Sequence, residues 1–158
     1  MTSPTPRSAD PARPSDPADG ALFDAVVCEN AAIYGYGVVS ARSTPDENAL
    51  VSASLAEHRK RREAALALLS ARSVEPPLPA AGYQLPIEVR TPADAARLAV
   101  QMEQDCAVAW RAVLEQATDE SDRRFAVTAL TETAVTAARW RGVQGVRPVT
   151  VPFPGGPE

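Results

Sequence analysis

One lysine, one histidine and two cysteines stand in a chain of 158 residues, and aromatic side chains make up only 5% of it. Each scarcity excludes something. With His58 the single histidine, no Ser/His/Asp set is assembled, and the eight glycines form no phosphate-cradling loop. Cys28 and Cys106 are too few and too far apart for a disulfide framework or a zinc site built on CxxC pairs, so both are expected as free thiols acting as small buried hydrophobes. Strands draw on aromatic and β-branched residues, and the shortage of aromatics argues against a sheet. Positive charge is also short. Sixteen Lys and Arg against twenty Asp and Glu leave a formal charge of -4, the wrong sign for a protein that binds nucleic acid through its phosphates. No uninterrupted apolar run approaches the ~20 residues of a membrane helix. The N-terminal stretch MTSPTPRSADPARPSDPADG has no apolar h-region, so neither a membrane partner nor a secretory signal is expected, and the cytoplasm is the expected compartment.

Alanine is what the chain has in plenty: 30 of 158 residues, a bias that favours closely packed helices. Proline divides the sequence. Five of the fifteen prolines fall in residues 1–17, five lie between Pro76 and Pro92, four follow Arg147, and none stands between Pro92 and Pro148. Residues 1–15 lack apolar periodicity and are expected to be a disordered tail. A first helix is predicted from Pro17 to Arg42 with Asp16 as its cap, and a second from the Thr44-Pro45-Asp46-Glu47 capping box to about Arg72. A third is predicted from Thr91-Pro92-Ala93-Asp94 to about Ala117, and a fourth from Asp119 or Ser121 to about Arg141, with Gly142 as C-terminal cap. Residues 143–158, apolar at Val149, Val151 and Phe153, are expected to lie extended on the bundle formed by residues 16–142.

Loop lengths set the arrangement. About two residues separate the first and second helices, and likewise the third and fourth, so each pair is an antiparallel hairpin. The connection between them, SVEPPLPAAGYQLPIEVR, carries four prolines and is far longer than an antiparallel turn requires. A 25-residue helix is about 37 Å long, and a link of this length reaches roughly 55 Å, enough to return along the whole bundle. The expected fold is therefore all-α, a ferritin-like four-helix bundle with a long crossover between helices two and three.

Five ionisable residues interrupt otherwise apolar faces. Glu29 sits in the stripe Leu22, Val26, Ile33, Tyr36. His58 and Arg62 sit in the stripe Val51, Leu55, Leu66, Leu69. Glu103 falls among Ala99, Cys106, Trp110 and Leu114, and Glu132 among Phe125, Ala129 and Val135. Glu29, His58, Glu103 and Glu132 lie close to the midpoints of their helices, so whichever way each helix points they share one layer, where bundles build metal sites. Cys28 and Cys106 adjoin that layer in sequence, which raises a redox pair as an alternative to inert thiols. The cationic run His58-Arg59-Lys60-Arg61-Arg62 reads as a solvated edge with two residues turned inward.

The stretches CENAAIYGYGVVSAR, AEHRKRRE, MEQDCAVAWR and TETAVTAARWR resemble an actinobacterial ferritin-like family of unknown function that includes mycobacterial conserved hypothetical α-helical proteins. In the wider ferritin-like superfamily two helices each give one Glu, and two give Glu-x-x-His, to a pair of iron or manganese ions. The resemblance matches Glu29 and Glu103 to the single glutamates, His58 to the histidine of the second helix and Glu132 to the glutamate of the fourth. Leu55 and Val135 stand where a bridging Glu and a second His are required. Two of six ligands are thus absent, and Arg62 is expected to bring a permanent cation into the layer. The favoured reading is a metal-free binding or structural module, expected as a homodimer, with a buried network of Glu29, His58, Arg62, Glu103 and Glu132. The alternative is a degenerate ferritin-type oxidoreductase holding Fe or Mn on Glu29, His58, Glu103 and Glu132.

Overall fold

Each helix begins where the sequence supplies a cap. In a computed structural model that describes residues 10–157, helix α1 spans Pro17–Arg42. The Asp16 carboxylate accepts from the backbone N–H groups of Ala18 and Asp19, each at 3.0 Å, and Pro17 occupies a position where no amide hydrogen is needed. Thr44 and Glu47 form the expected capping box, but it opens a short 3-10 turn, Pro45–Glu47, that feeds into α2, Asn48–Ala71. Thr91 and Asp94 cap α3, Pro92–Gln116. The Thr91 hydroxyl and the amides of Arg90 and Thr91 hold the Asp94 carboxyl down at about 2. Asp119 caps α4, Glu120–Gln144. This last helix outruns its predicted end at Arg141. Gly142 stays helical, and Gly145, at φ +70°, takes the left-handed cap instead.

The bundle is all-helical among the described residues, and its ends reveal the topology. Arg72, just past α2, bonds Asp19 at the start of α1 at 3.0 Å and also Asp122 at the start of α4. Val113 and Ala117, at the end of α3, line a small cavity with Ala18, Leu22, Leu68 and Phe125. The C-terminal ends of α2 and α3 therefore meet at one end of the bundle. The two helices run parallel, and the link between them crosses its length. α1 packs on both α2 and α3, and α3 packs on α4. By length and composition α1 matches a membrane-crossing helix, with mean hydropathy 1.2 over its most apolar window, but 56% of that window is buried in the bundle.

Small residues let α1 approach α3. A Cβ added at Gly35 would meet the Met102 thioether, so a side chain here would have to displace the flexible end of Met102, which packs over the glycine. The C-terminal segment returns over α3 and α4. Arg141 Nη1 donates to the Val149 carbonyl at 3.3 Å, Gly155 lies against the Ala107 backbone, and Phe153 is left 74% exposed. The disorder expected of residues 1–15 falls largely on residues 1–9, outside the described residues. Of the remainder, Arg13 pairs with Asp24 at 2.9 Å on the surface.

Candidate functional site

The polar layer exists, with one exchange of residue. Glu29, His58 and Glu103 are fully buried at 0% exposure, and His58 joins the two carboxylates. His58 Nδ1 lies 2.6 Å from Glu29 Oε2, and Nε2 lies 3.0 Å from Glu103 Oε1. The arginine that joins them is Arg61, not Arg62. Arg61, 3% exposed, donates through Nε to Glu29 Oε1 at 3.0 Å, whereas Arg62 turns outward and pairs with its neighbour Glu63 at 2.7 Å. The cause is the register of α2. Its buried face is Val51, Ser54, His58, Arg61, Ala65 and Leu69; Leu55 and Leu66 are only half-buried. The leucine-rich stripe shares Val51, His58 and Leu69 with this face but takes Leu55, Arg62 and Leu66 for Ser54, Arg61 and Ala65, and one residue is ~100° of helix rotation.

The same slip moves Glu132. The buried face of α4 runs through Ala126, Ala129, Thr133, Ala137 and Trp140, so Val135 is exposed. Glu132 sits at the rim with its side chain 35% exposed, its Oε2 3.6 Å from Arg61 Nη1. It belongs to the edge of the layer and not to its centre.

Three further residues complete the cluster, and none is of a type that marks a buried polar position in the sequence. Trp110 Nε1 donates to Glu29 Oε1 at 2.7 Å, and the Tyr36 hydroxyl donates to Glu103 Oε1 at 2.6 Å. Trp140 Nε1 donates to the Tyr36 hydroxyl at 2.9 Å. Only tertiary pairing brings the Trp110 indole and the Tyr36 phenol to the carboxylates, and the Trp140 indole to that phenol.

The electrostatics are self-contained. Both His58 nitrogens face carboxylate oxygens, so both carry protons and the ring is an imidazolium. Burial pulls the His58 pKa down, but hydrogen bonds and charge from Glu103 and Glu29 outweigh it and raise it to about 9. Arg61 Nη2, 3.0 Å from Nδ1, is then a second donor beside the first, and the two cations share Glu29 instead of bonding each other. For Glu29, burial pushes upward, and the His58 bond with the His58 and Arg61 charges brings the net value below normal. Burial and the Glu103 charge lift the Tyr36 hydroxyl well above its usual range. Two carboxylates and two cations thus balance in charge within the buried interior, the condition under which buried charge is tolerated.

A metal pair does not fit these donors. Leu55 and Val135 supply no ligand, Glu132 sits at the rim, and the His58 nitrogens and three of the four oxygens of Glu29 and Glu103 are engaged by protein hydrogen bonds. The carboxylate of Glu29, a His58 nitrogen and Cys106 Sγ lie within 4.8 Å of one another, close enough for one ion, but a guanidinium already occupies the flank of that group.

Comparison with known proteins places this architecture. A crystal structure of rv2844, a conserved hypothetical protein from Mycobacterium tuberculosis, superposes with a TM-score of 0.80 at 55% sequence identity, covering 82% of this chain and 98% of that one. No curated protein sequence matches the chain. Residues 21–158, which include all of the ion cluster, match the family described as Domain of unknown function (DUF4439), and the chain belongs to that family.

Proposed function

We propose that this domain is a metal-free binding or structural module, in which the ion cluster takes the place that a metal pair holds in ferritin-like bundles, and that it works as a cytoplasmic homodimer. The observation that carries the reading is the bonding of His58, both of whose nitrogens lie on carboxylates while Arg61 shares Glu29. A divalent cation entering there must displace a proton and settle beside a permanent guanidinium, in a cluster that is already neutral. The low cysteine content, two in 158 residues, supports a reducing compartment. The outer face of α4 supports the dimer: Val135 is exposed there, on an apolar groove of about 690 Å³ whose walls also include Leu130, Ala138 and Val149. Such patches mark interaction surfaces, and the occupant we assign is a second copy.

Elemental analysis and thermal shift with Fe(II), Mn(II) and Zn(II) test the metal-free reading. The wild type is expected to carry no stoichiometric metal and to show no rise in Tm on its addition, since a ligand of the folded state would raise Tm by mass action. Stoichiometric metal that disappears in Glu29→Ala overturns it. Light scattering is expected to read twice the 16.7 kDa of the chain; the mass of one chain removes the dimer. A second reading, a degenerate ferritin-type oxidoreductase using Fe or Mn, is favoured by the proximity of Glu29, His58 and Cys106. It requires Arg61→Met to bind metal more tightly than the wild type, because the substitution removes a competing charge.

A further inference from the structure

Cys28 on α1 and Cys106 on α3 are separated by 78 positions in sequence, yet their sulfurs lie 3.0 Å apart. That is closer than van der Waals packing of two sulfurs and within reach of a covalent bond after a small side-chain movement. Their surroundings differ. Cys106 is buried, whereas Cys28 is half-buried and opens onto a cavity of about 140 Å³ roofed by Tyr83, Gln84, Leu85 and Pro86 of the crossover. The cavity holds a molecule the size of water or hydrogen peroxide with room to spare. Only one of the two thiols is therefore reachable, and the second waits behind it.

We propose that Cys28 and Cys106 form a redox-active dithiol for hydrogen peroxide, with Cys28 as the reacting thiol and Cys106 as the resolving one. In the first step the Cys28 sulfur attacks one peroxide oxygen, the O–O bond breaks, and Cys28 becomes a sulfenic acid as water leaves. In the second, the Cys106 sulfur attacks the Cys28 sulfur. The S–O bond breaks, the departing hydroxide takes the Cys106 proton as a second water, and the disulfide closes. Two thiols lose two electrons and two protons to one peroxide. The disulfide ties α1 to α3 beside Glu29 and Glu103, so oxidation locks the helix pair that carries both carboxylates.

The test treats the full chain with hydrogen peroxide, unfolds it, counts thiols and maps peptides without reduction. Free thiols are expected to fall from two to none, with the loss of two hydrogens in mass, a cross-linked peptide joining Cys28 to Cys106 within one chain, and a higher Tm that dithiothreitol reverses. In Cys106→Ser the sulfenic acid at Cys28 is expected to persist and to be trapped by dimedone. In Cys28→Ser the buried Cys106 is expected to stay reduced while the protein is folded. Three results overturn the proposal: both thiols surviving in the treated wild type, a disulfide found only between two chains, or both thiols shielded by stoichiometric zinc. The wild-type peptide map decides even if a variant fails to fold.

Discussion

Replacing Arg61 by methionine is expected to destabilise the bundle by about 3–5 kcal/mol, the cost of leaving a buried carboxylate without its cation. Glu29 would keep His58 and Trp110 but lose the guanidinium at 3.0 Å. The same change at Arg62 removes only a surface pair with Glu63, whose side chain is 63% exposed, and is expected to cost less than about 1 kcal/mol. Urea denaturation of the two variants reads the difference directly. Equal losses at the two positions would mean that Arg61 does not hold the cluster. A double variant, Arg61→Met with Glu29→Gln, should recover part of the loss, because it removes the stranded charge together with its partner.

Alkaline pH should weaken the fold through His58. A group whose pKa is higher in the folded state than in the unfolded one contributes stability that is complete below its unfolded pKa, 6.5, and is lost as pH rises through its folded value, about 9. The gap corresponds to about 3 kcal/mol. Glu29 acts in the opposite sense. Its pKa is lowered by folding, so its contribution is complete above its ordinary value of 4.5 and falls away as acid is added. Stability is expected to peak between these limits, near pH 5–6, and to drop between pH 6.5 and 9.5 by an amount that His58→Gln abolishes. A wild-type urea midpoint that stays level across that alkaline range would show that His58 is not an imidazolium in the folded protein.

Much of the fold was legible because helix ends are written locally. Asp16, Thr91 and Asp119 cap the helices that follow them, and the length of the link after Arg72 was enough to require a crossover. The interior was harder to read because it is built from small residues. Ser54 and Ala65 on α2, and Ala126, Ala129 and Thr133 on α4, form the buried faces. In an alanine-rich chain these carry less hydrophobic signal than the leucines and valines beside them. Close helix approach selects small side chains, so the bulky apolar stripe pointed one residue away from the true face. Arg62 was read for Arg61, and Glu132 was brought inward, for this single reason. Glu29 and Glu103 stand on the faces expected of them because on α1 and α3 large side chains, Leu22, Tyr36 and Trp110, do mark the buried face, and His58 does because it lies, with Val51 and Leu69, on both the leucine-rich stripe and the buried face of α2. The indole and phenol hydrogen bonds were not legible at all, since nothing in a linear sequence says which apolar stripe an aromatic tip will meet.

The crossover also sets an order of events in folding. Each hairpin closes over a short turn, and the bonds from α2 to Glu29 join residues only 29 and 32 apart. The bonds of Tyr36 to Glu103 and Trp140 join residues 67 and 104 apart, and the chain must close those longer loops before the contacts are made. The hairpins therefore form early, and the seam between them seals late. Tyr36 spans that seam, so removing its hydroxyl in Tyr36→Phe should speed the unfolding arm of a chevron plot and leave the refolding arm nearly unmoved. A slowed refolding arm would place the seam in the folding nucleus. Persistence of the native state then depends on a hydroxyl that takes little part in reaching it.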